Sequence, residues 1–198
     1  MNDYLYPKKY IELYKDFLHP NPNINDRAFL FLRKEFSSEF MESLLLNLGD
    51  KDIILRRKSI FALGNFGEEV LKPIVSLYLN SNNKIVQISC LKTIIKVIVN
   101  CNLKELNEDI MSVVDIAIKD NSPEIILIVI SLIRQLGING KEILMKTSRD
   151  KNILRAKASI SALLEIKDST LDDFFNELLN DNSIDLMIKE DIKREKII

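Results

Sequence analysis

Apolar residues recur along this chain at helical spacing, and one amphipathic pattern returns five times. The copies begin at Ile24, Leu55, Val86, Ile128 and Leu154. Four residues on stand Ala28, Ser59, Cys90, Leu132 and Ala158, and eight on stand Leu32, Leu63, Ile94, Leu136 and Ala162. Offsets of zero, four and eight share one face of a 3.6-residue helix, so each copy predicts an amphipathic helix with a mostly small residue in mid-stripe. The starts are 31, 31, 42 and 26 residues apart (55−24, 86−55, 128−86, 154−128). Similar but unequal periods are the mark of stacked helix pairs, none of which can bury its apolar face alone.

Turn residues punctuate the pattern. His19-Pro20-Asn21-Pro22-Asn23 precedes the first copy, and Gly49-Asp50-Lys51-Asp52 the second. Asn80-Ser81-Asn82-Asn83, Asp120-Asn121-Ser122-Pro123 and Ser148-Arg149-Asp150 precede the others. Such residues offer side-chain oxygens to the orphan N–H groups of a helix start. A partner helix is expected in each interval, at about 38–48, 68–79, 103–118 and 140–147. The excess length of the third interval falls around Val99 to Asp109, read as an extended loop or a longer first helix and not as a domain break. The expectation is an all-α, right-handed α-solenoid of about five helix pairs in one domain spanning 1–198. Residues 1–23 would form an N-terminal cap, 24–166 the repeats, and 167–198 a C-terminal cap and tail. Tyr6, Tyr10, Leu13, Phe17 and Leu18 make the leading cap stripe. Leu171, Phe174, Phe175, Leu178 and Leu179 make the trailing one, before a charged tail, Lys189 to Lys196. Tyr4, Tyr6, Tyr10 and Tyr14 have docking as their other use, with cap packing preferred.

Composition narrows the chemistry. The chain is 46% hydrophobic and 29% charged, which fits a folded globular protein and argues against disorder. No apolar run is long enough to span a bilayer and no signal peptide is evident, so the expected compartment is cytoplasmic. Two cysteines and His19 are too few for a disulfide framework or a zinc site. No catalytic constellation, Walker loop, GxGxxG or HExxH is present, so no catalytic or metal-binding residue is assigned.

Two stretches carry a family resemblance. Leu55-Arg56-Arg57-Lys58-Ser59-Ile60-Phe61-Ala62-Leu63-Gly64 and Leu154-Arg155-Ala156-Lys157-Ala158-Ser159-Ile160-Ser161-Ala162-Leu163 resemble the second helix of HEAT-like repeats. A chain of this size with few such repeats resembles the E/F-type phycobilin lyases of cyanobacteria, and among them the small lyase-chaperone for phycoerythrin. That resemblance implies a bilin, phycoerythrobilin above all, as substrate or ligand rather than cofactor. It implies a phycoerythrin subunit as client, and a second E/F-type lyase subunit as a further partner. The thioether would then be formed by the client's own Cys thiolate, while this chain orients the pigment and guides its protonation.

Charge supplies an independent clue. Twelve-residue windows from each copy hold eleven basic residues and three acids, in a chain with 28 basic and 29 acidic residues overall. Second helices normally line the concave side of a solenoid, which would make that groove positive. Arg57, Lys58, Lys92, Lys96, Arg134 and Lys157 are therefore the candidate residues for a bilin's propionates or an acidic client. Arg56 and Arg155 are expected to bond to inter-repeat turns at Asp50, Asp52 or Asp150. Tyr78, Asp52 and Glu68 are the candidate proton donors. Competing uses are a non-enzymatic HEAT-like scaffold for an acidic protein, and nucleic-acid binding. The net charge of −1, the lack of Trp and the thin spread of cations disfavour the last.

Overall fold

The structure, a computed structural model, describes residues 6–105 and 107–196, so Tyr4 and the ends of the two terminal segments lie outside the described residues. The described residues form twelve α-helices and no strand. They group into two compact units, one up to Cys101 and one from Asn102 on.

The first unit holds three helix pairs: α1 (Lys8–Leu18) with α2 (Pro22–Glu35), α3 (Ser37–Leu46) with α4 (Ile53–Gly64), and α5 (Leu71–Asn80) with α6 (Lys84–Cys101). The second unit also holds three: α7 (Glu108–Ala117) with α8 (Pro123–Gln135), α9 (Lys141–Thr147) with α10 (Ile153–Leu164), and α11 (Thr170–Asn180) with α12 (Leu186–Lys196). Within a unit the second helices lie side by side, α4 on α6 in the first, and α8 on α10 on α12 in the second.

The start of each second helix explains the spacing of the pattern. Asn21, Asp52, Asn83 and Asn152 each accept a backbone N–H of the first turn through a side-chain oxygen, and Ser122 with Pro123 begins α8. The residue two before each cap also bonds to the cap's own N–H: His19 Nδ1, Asp50 Oδ1, Ser81 Oγ, Asp120 Oδ1 and Asp150 Oδ1. This doubled turn fixes where the helix begins. The caps lie 31, 31, 39 and 30 residues apart (52−21, 83−52, 122−83, 152−122).

Counting from the caps corrects two registers. Seven residues beyond them stand Ala28, Ser59, Cys90, Val129 and Ser159, all at most 2% exposed. The equivalent copies thus begin at Ile125 and Arg155 rather than Ile128 and Leu154, and Ala158 is half-buried rather than buried. Two local causes misled the pattern. Helix α8 is nearly all apolar and buries Ile125, Ile126, Val129, Ile130, Leu132 and Ile133, so several phases fit it equally. In α10 the stripe itself contains Arg155 and Ser159, which hydropathy reads as outward-facing.

The extra length near Cys101 also differs from expectation. Helix α6 runs 18 residues against 12 for α4, so most of the excess belongs to a second helix. The charged tail is not a loose end. It is α12, begun by Asp185, whose Oδ1 accepts from Met187 N, and anchored by buried Ile188 and Ile192.

The leading Tyr residues pack inward, as the cap reading expects. Tyr10 and Tyr14 are buried, with their rings stacked 5.8 Å apart. Tyr10 donates to Ser43 Oγ at 2.8 Å, and Tyr14 accepts from Asn47 Nδ2 at 2.5 Å. Phe17, Phe29, Phe40 and Phe66 continue an aromatic core through edge and tilted contacts. At the other end Leu171, Phe174, Phe175 and Leu178 are buried on α11.

Candidate functional site

The basic side chains of the second helices fall into three groups: turn clamps, ion-paired cations and exposed cations.

The clamps hold turns together. Arg56 donates to the carbonyls of Asp50 and Lys51 at 2.5 and 3.2 Å. Arg155, only 6% exposed, donates to the Asp150 carboxylate at 2.9 Å and the Asp120 carbonyl at 2.6 Å. Both therefore serve the turns expected of them. At the same places, Asn25 donates to the Phe17 carbonyl and Gln87 to the Ser81 carbonyl, two clamps that hydropathy patterning gave no reason to single out. Lys58 joins this group. Its ammonium lies 2.7 Å from the Leu18 carbonyl and 3.2 Å from that of His19, with Phe17 at 3.4 Å. It caps the carbonyl end of α1, where a cation is favoured, and its partial desolvation there lowers its pKa. Arg33 does the same for α4, reaching the carbonyls of Asn65 and Phe66 at 2.9 Å while lying over the Phe66 ring.

Two candidates in the second unit are neutralised in place. Arg134 pairs with Glu165 at 2.8 Å, and Lys157 with Asp191 at 3.0 Å. Lys157, Ser161, Glu165, Asp191 and Arg194 line a shallow polar depression of about 310 Å³ between α10 and α12.

The remaining three candidates meet in the first unit. Arg57 and Lys92 are exposed and have no ion-pair partner among the described residues. The Lys96 stem crosses α4 at Gly64 and places its ammonium 5.1 Å from the centre of the Phe61 ring. Phe61 is nonetheless 57% exposed, and Ile54, one helical turn before Arg57, is 68% exposed. Helices α4 and α6 carry six basic residues (Arg56, Arg57, Lys58, Lys84, Lys92, Lys96) and no acid. A surface of this kind offers cations to carboxylates beside apolar area for whatever bears them. Phe61 is the member the basic ladder leaves out. Its signal in the sequence is an aromatic residue lying off the Ser59–Leu63 stripe.

A second depression, of about 430 Å³, lies on α1 and α2 of the same unit against Leu13, Asp16, Ile24, Arg27 and Phe31. The proposed proton donors do not converge. Tyr78 is 2% exposed in the core, Asp52 caps α4, and Glu68 stands exposed in the turn before α5. Burial raises the Cys90 thiol to about 12, leaving it protonated and inert. Among the described residues no helix is long and apolar enough to cross a membrane.

Comparison with known proteins places these features beside two relatives. The chain is 27% identical over 172 residues to the bilin biosynthesis protein CpeZ of Synechococcus sp. (strain WH8020), covering 82% of this chain and 91% of that one. It is 23% identical over 178 residues to the uncharacterized phycocyanin operon protein Z of Pseudanabaena tenuis (strain PCC 7409), covering 89% and 88%. The homology is distant but spans most of each chain. No family model matches the sequence.

Proposed function

We propose that this chain works in bilin attachment, as a phycobilin lyase or lyase-chaperone that assists pigment loading and folding of a phycoerythrin subunit. The observation that carries the reading is homology across most of its length to a protein named for bilin biosynthesis. In this reading the chain is a right-handed, HEAT-like α-solenoid over 1–198 that acts in the cytoplasm with a second E/F-type lyase subunit as a further partner. The helix pairs within each unit support the all-helical repeat class alone. The client supplies the nucleophile. Its Cys thiolate forms the carbon–sulfur bond, the pigment takes up the proton the thiol gave away, and nothing is oxidised. This chain's part is to hold the pigment in one conformation and limit side reactions. Of the candidate residues, we assign Arg57, Lys92 and Lys96, beside the exposed Phe61, to the acidic client or ligand that this reading requires.

Phycoerythrobilin mixed with the purified protein should give a shifted, sharpened absorption band. Adding apo-phycoerythrin subunit should move the pigment onto the subunit as a covalent, denaturation-resistant adduct. An unaltered pigment spectrum, with no gain in adduct yield or subunit solubility, would remove the pigment reading. The alternative, a non-enzymatic HEAT-like scaffold for an acidic protein, is favoured by α4 and α6 carrying basic residues and no acid. It predicts a salt-sensitive complex with the subunit and no spectral response from free bilin.

A further inference from the structure

We infer that the α4–α6 face of the first unit docks an acidic, amphipathic helix of the client protein. The inference rests on the reading that the chain serves a protein client, and it assigns the side of the molecule that does so.

Four residues make one continuous surface. Arg57 and Phe61 are four apart on α4, and Lys92 and Lys96 are four apart on α6, so each pair shares a helix face. The Lys96 ammonium over the Phe61 ring joins the two pairs. Ile54 extends the apolar strip along α4 toward its start. Of the other cations of these helices, Arg56 and Lys58 are committed to turn carbonyls, and Lys84 stands at the first position of α6, eight residues before Lys92. Arg57 and Lys92 are left facing solvent, on two helices that carry no acid to neutralise them.

Charge complementarity selects the occupant. Three cations around a half-exposed ring and an exposed Ile call for carboxylates interleaved with apolar side chains. A helix with acids on one flank of an apolar stripe presents that arrangement at matching spacing. A nucleic acid would answer the cations with a continuous phosphate track and leave Ile54 unmatched. In the second unit, Arg134 and Lys157 already hold Glu165 and Asp191, so an acidic helix would have to displace those pairs first.

The test uses full-length protein, apo-phycoerythrin subunit, and two variants: Arg57→Glu with Lys92→Glu, and Phe61→Ser. Subunit binding is measured by calorimetry at low and physiological salt, and phycoerythrobilin binding by absorption in parallel. The double variant should bind the subunit at least about tenfold more weakly and lose most of its salt dependence. Phe61→Ser should weaken binding with the salt dependence kept. Both variants should keep the helical circular dichroism of the wild type. Wild-type affinity in a folded double variant would overturn the inference while leaving the pigment reading intact. Absence of both subunit and pigment binding in the wild type would overturn both readings. Binding of the wild type to phosphatidylglycerol vesicles or single-stranded RNA more tightly than to the subunit, lost in the double variant, would reassign the face and overturn the inference.

Discussion

Gly64 and Lys96 are packed so closely that a side chain at one excludes the stem of the other. A β-carbon at Gly64 would overlap both the Cβ and the Cγ of Lys96, and the Cβ cannot swing away because α6 fixes it. The absence of a side chain at Gly64 thus lets α6 approach α4 and aims the Lys96 ammonium at Phe61. Gly64→Ala gains helix propensity worth at most about 1 kcal/mol. Overpacking costs about 1–3 kcal/mol, so the variant should be less stable, measured by urea denaturation. Lys96→Ala in the same chain removes the Cγ clash and should recover part of the loss. A stabilised single variant would show that the two helices stand further apart than described.

The two mid-stripe serines should respond in opposite ways. Ser159 Oγ is buried between the Thr147 hydroxyl at 2.7 Å and the Arg155 carbonyl at 2.8 Å. Ser59 Oγ is equally buried and has no hydrogen-bond partner among the described residues. Ser159→Ala should therefore cost about 1 kcal/mol, while Ser59→Ala should be neutral or stabilising, because a desolvated hydroxyl without a partner is a penalty removed. Midpoints of chemical denaturation for the two variants check the sign of each.

These serines also show what the sequence could and could not reveal. In the first unit, Ala28, Ser59 and Cys90 each stand seven residues beyond caps that are 31 residues apart, and the period is legible because each turn ends in a capping Asn or Asp. Val129 and Ser159 were missed because α8 is apolar on too many sides and α10 buries an Arg. The period then had to be read from Ser122 and Asn152, whose capping role outranks hydropathy. The basic ladder was visible as composition. Its division into clamps, ion pairs and exposed cations depends on main-chain carbonyls and on partners 30 to 40 positions away, such as Leu18 for Lys58 and Asp191 for Lys157, which no local pattern encodes.

Arg155 should be among the most sensitive charged residues in the second unit. It is buried and joins the turn before α8 to the turn before α10 through the Asp120 carbonyl and the Asp150 carboxylate. Removing one member of a buried, hydrogen-bonded pair leaves the others desolvated and unmet, at a cost of about 3 kcal/mol. Arg155→Lys should lose nearly as much as Arg155→Met, since one ammonium cannot reproduce the forked contact. Thermal melts of both variants read this directly, and a melting point for Arg155→Lys equal to wild type would refute the forked clamp.

Acid sensitivity should be traceable to Asp168. Its carboxylate accepts from Lys141 Nζ at 2.6 Å and from the N–H and hydroxyl of Thr170, which hold it down at about 2, below its ordinary 3.8. A carboxylate with a lowered folded-state pKa stabilises the fold fully above its unfolded value and loses that contribution as pH falls through the folded value. This part of the stability should therefore be intact above about pH 4 and fade toward pH 2. Lys141→Met should flatten the stability profile in that window and leave the slope above pH 5 unchanged.

The two thiols should differ in reactivity by virtue of place alone. Cys90 is fully buried in mid-α6, and burial raises its pKa to about 12, so both access and thiolate are denied to a reagent. Cys101 ends the same helix, half-buried, beside the positive-φ turn at Gly67. In native protein, a small thiol reagent such as iodoacetamide should label one cysteine per chain, mapped to Cys101 by peptide mass. Labelling at Cys90 should appear only with the loss of helical signal in denaturant. Its rate should then follow the opening of the first unit, because Cys90 lies six residues inside one end of α6 and eleven inside the other, on a fully buried stripe that end fraying does not uncover. Equal labelling of both residues in the folded chain would contradict the burial of the α6 stripe on which the register of the first three pairs depends.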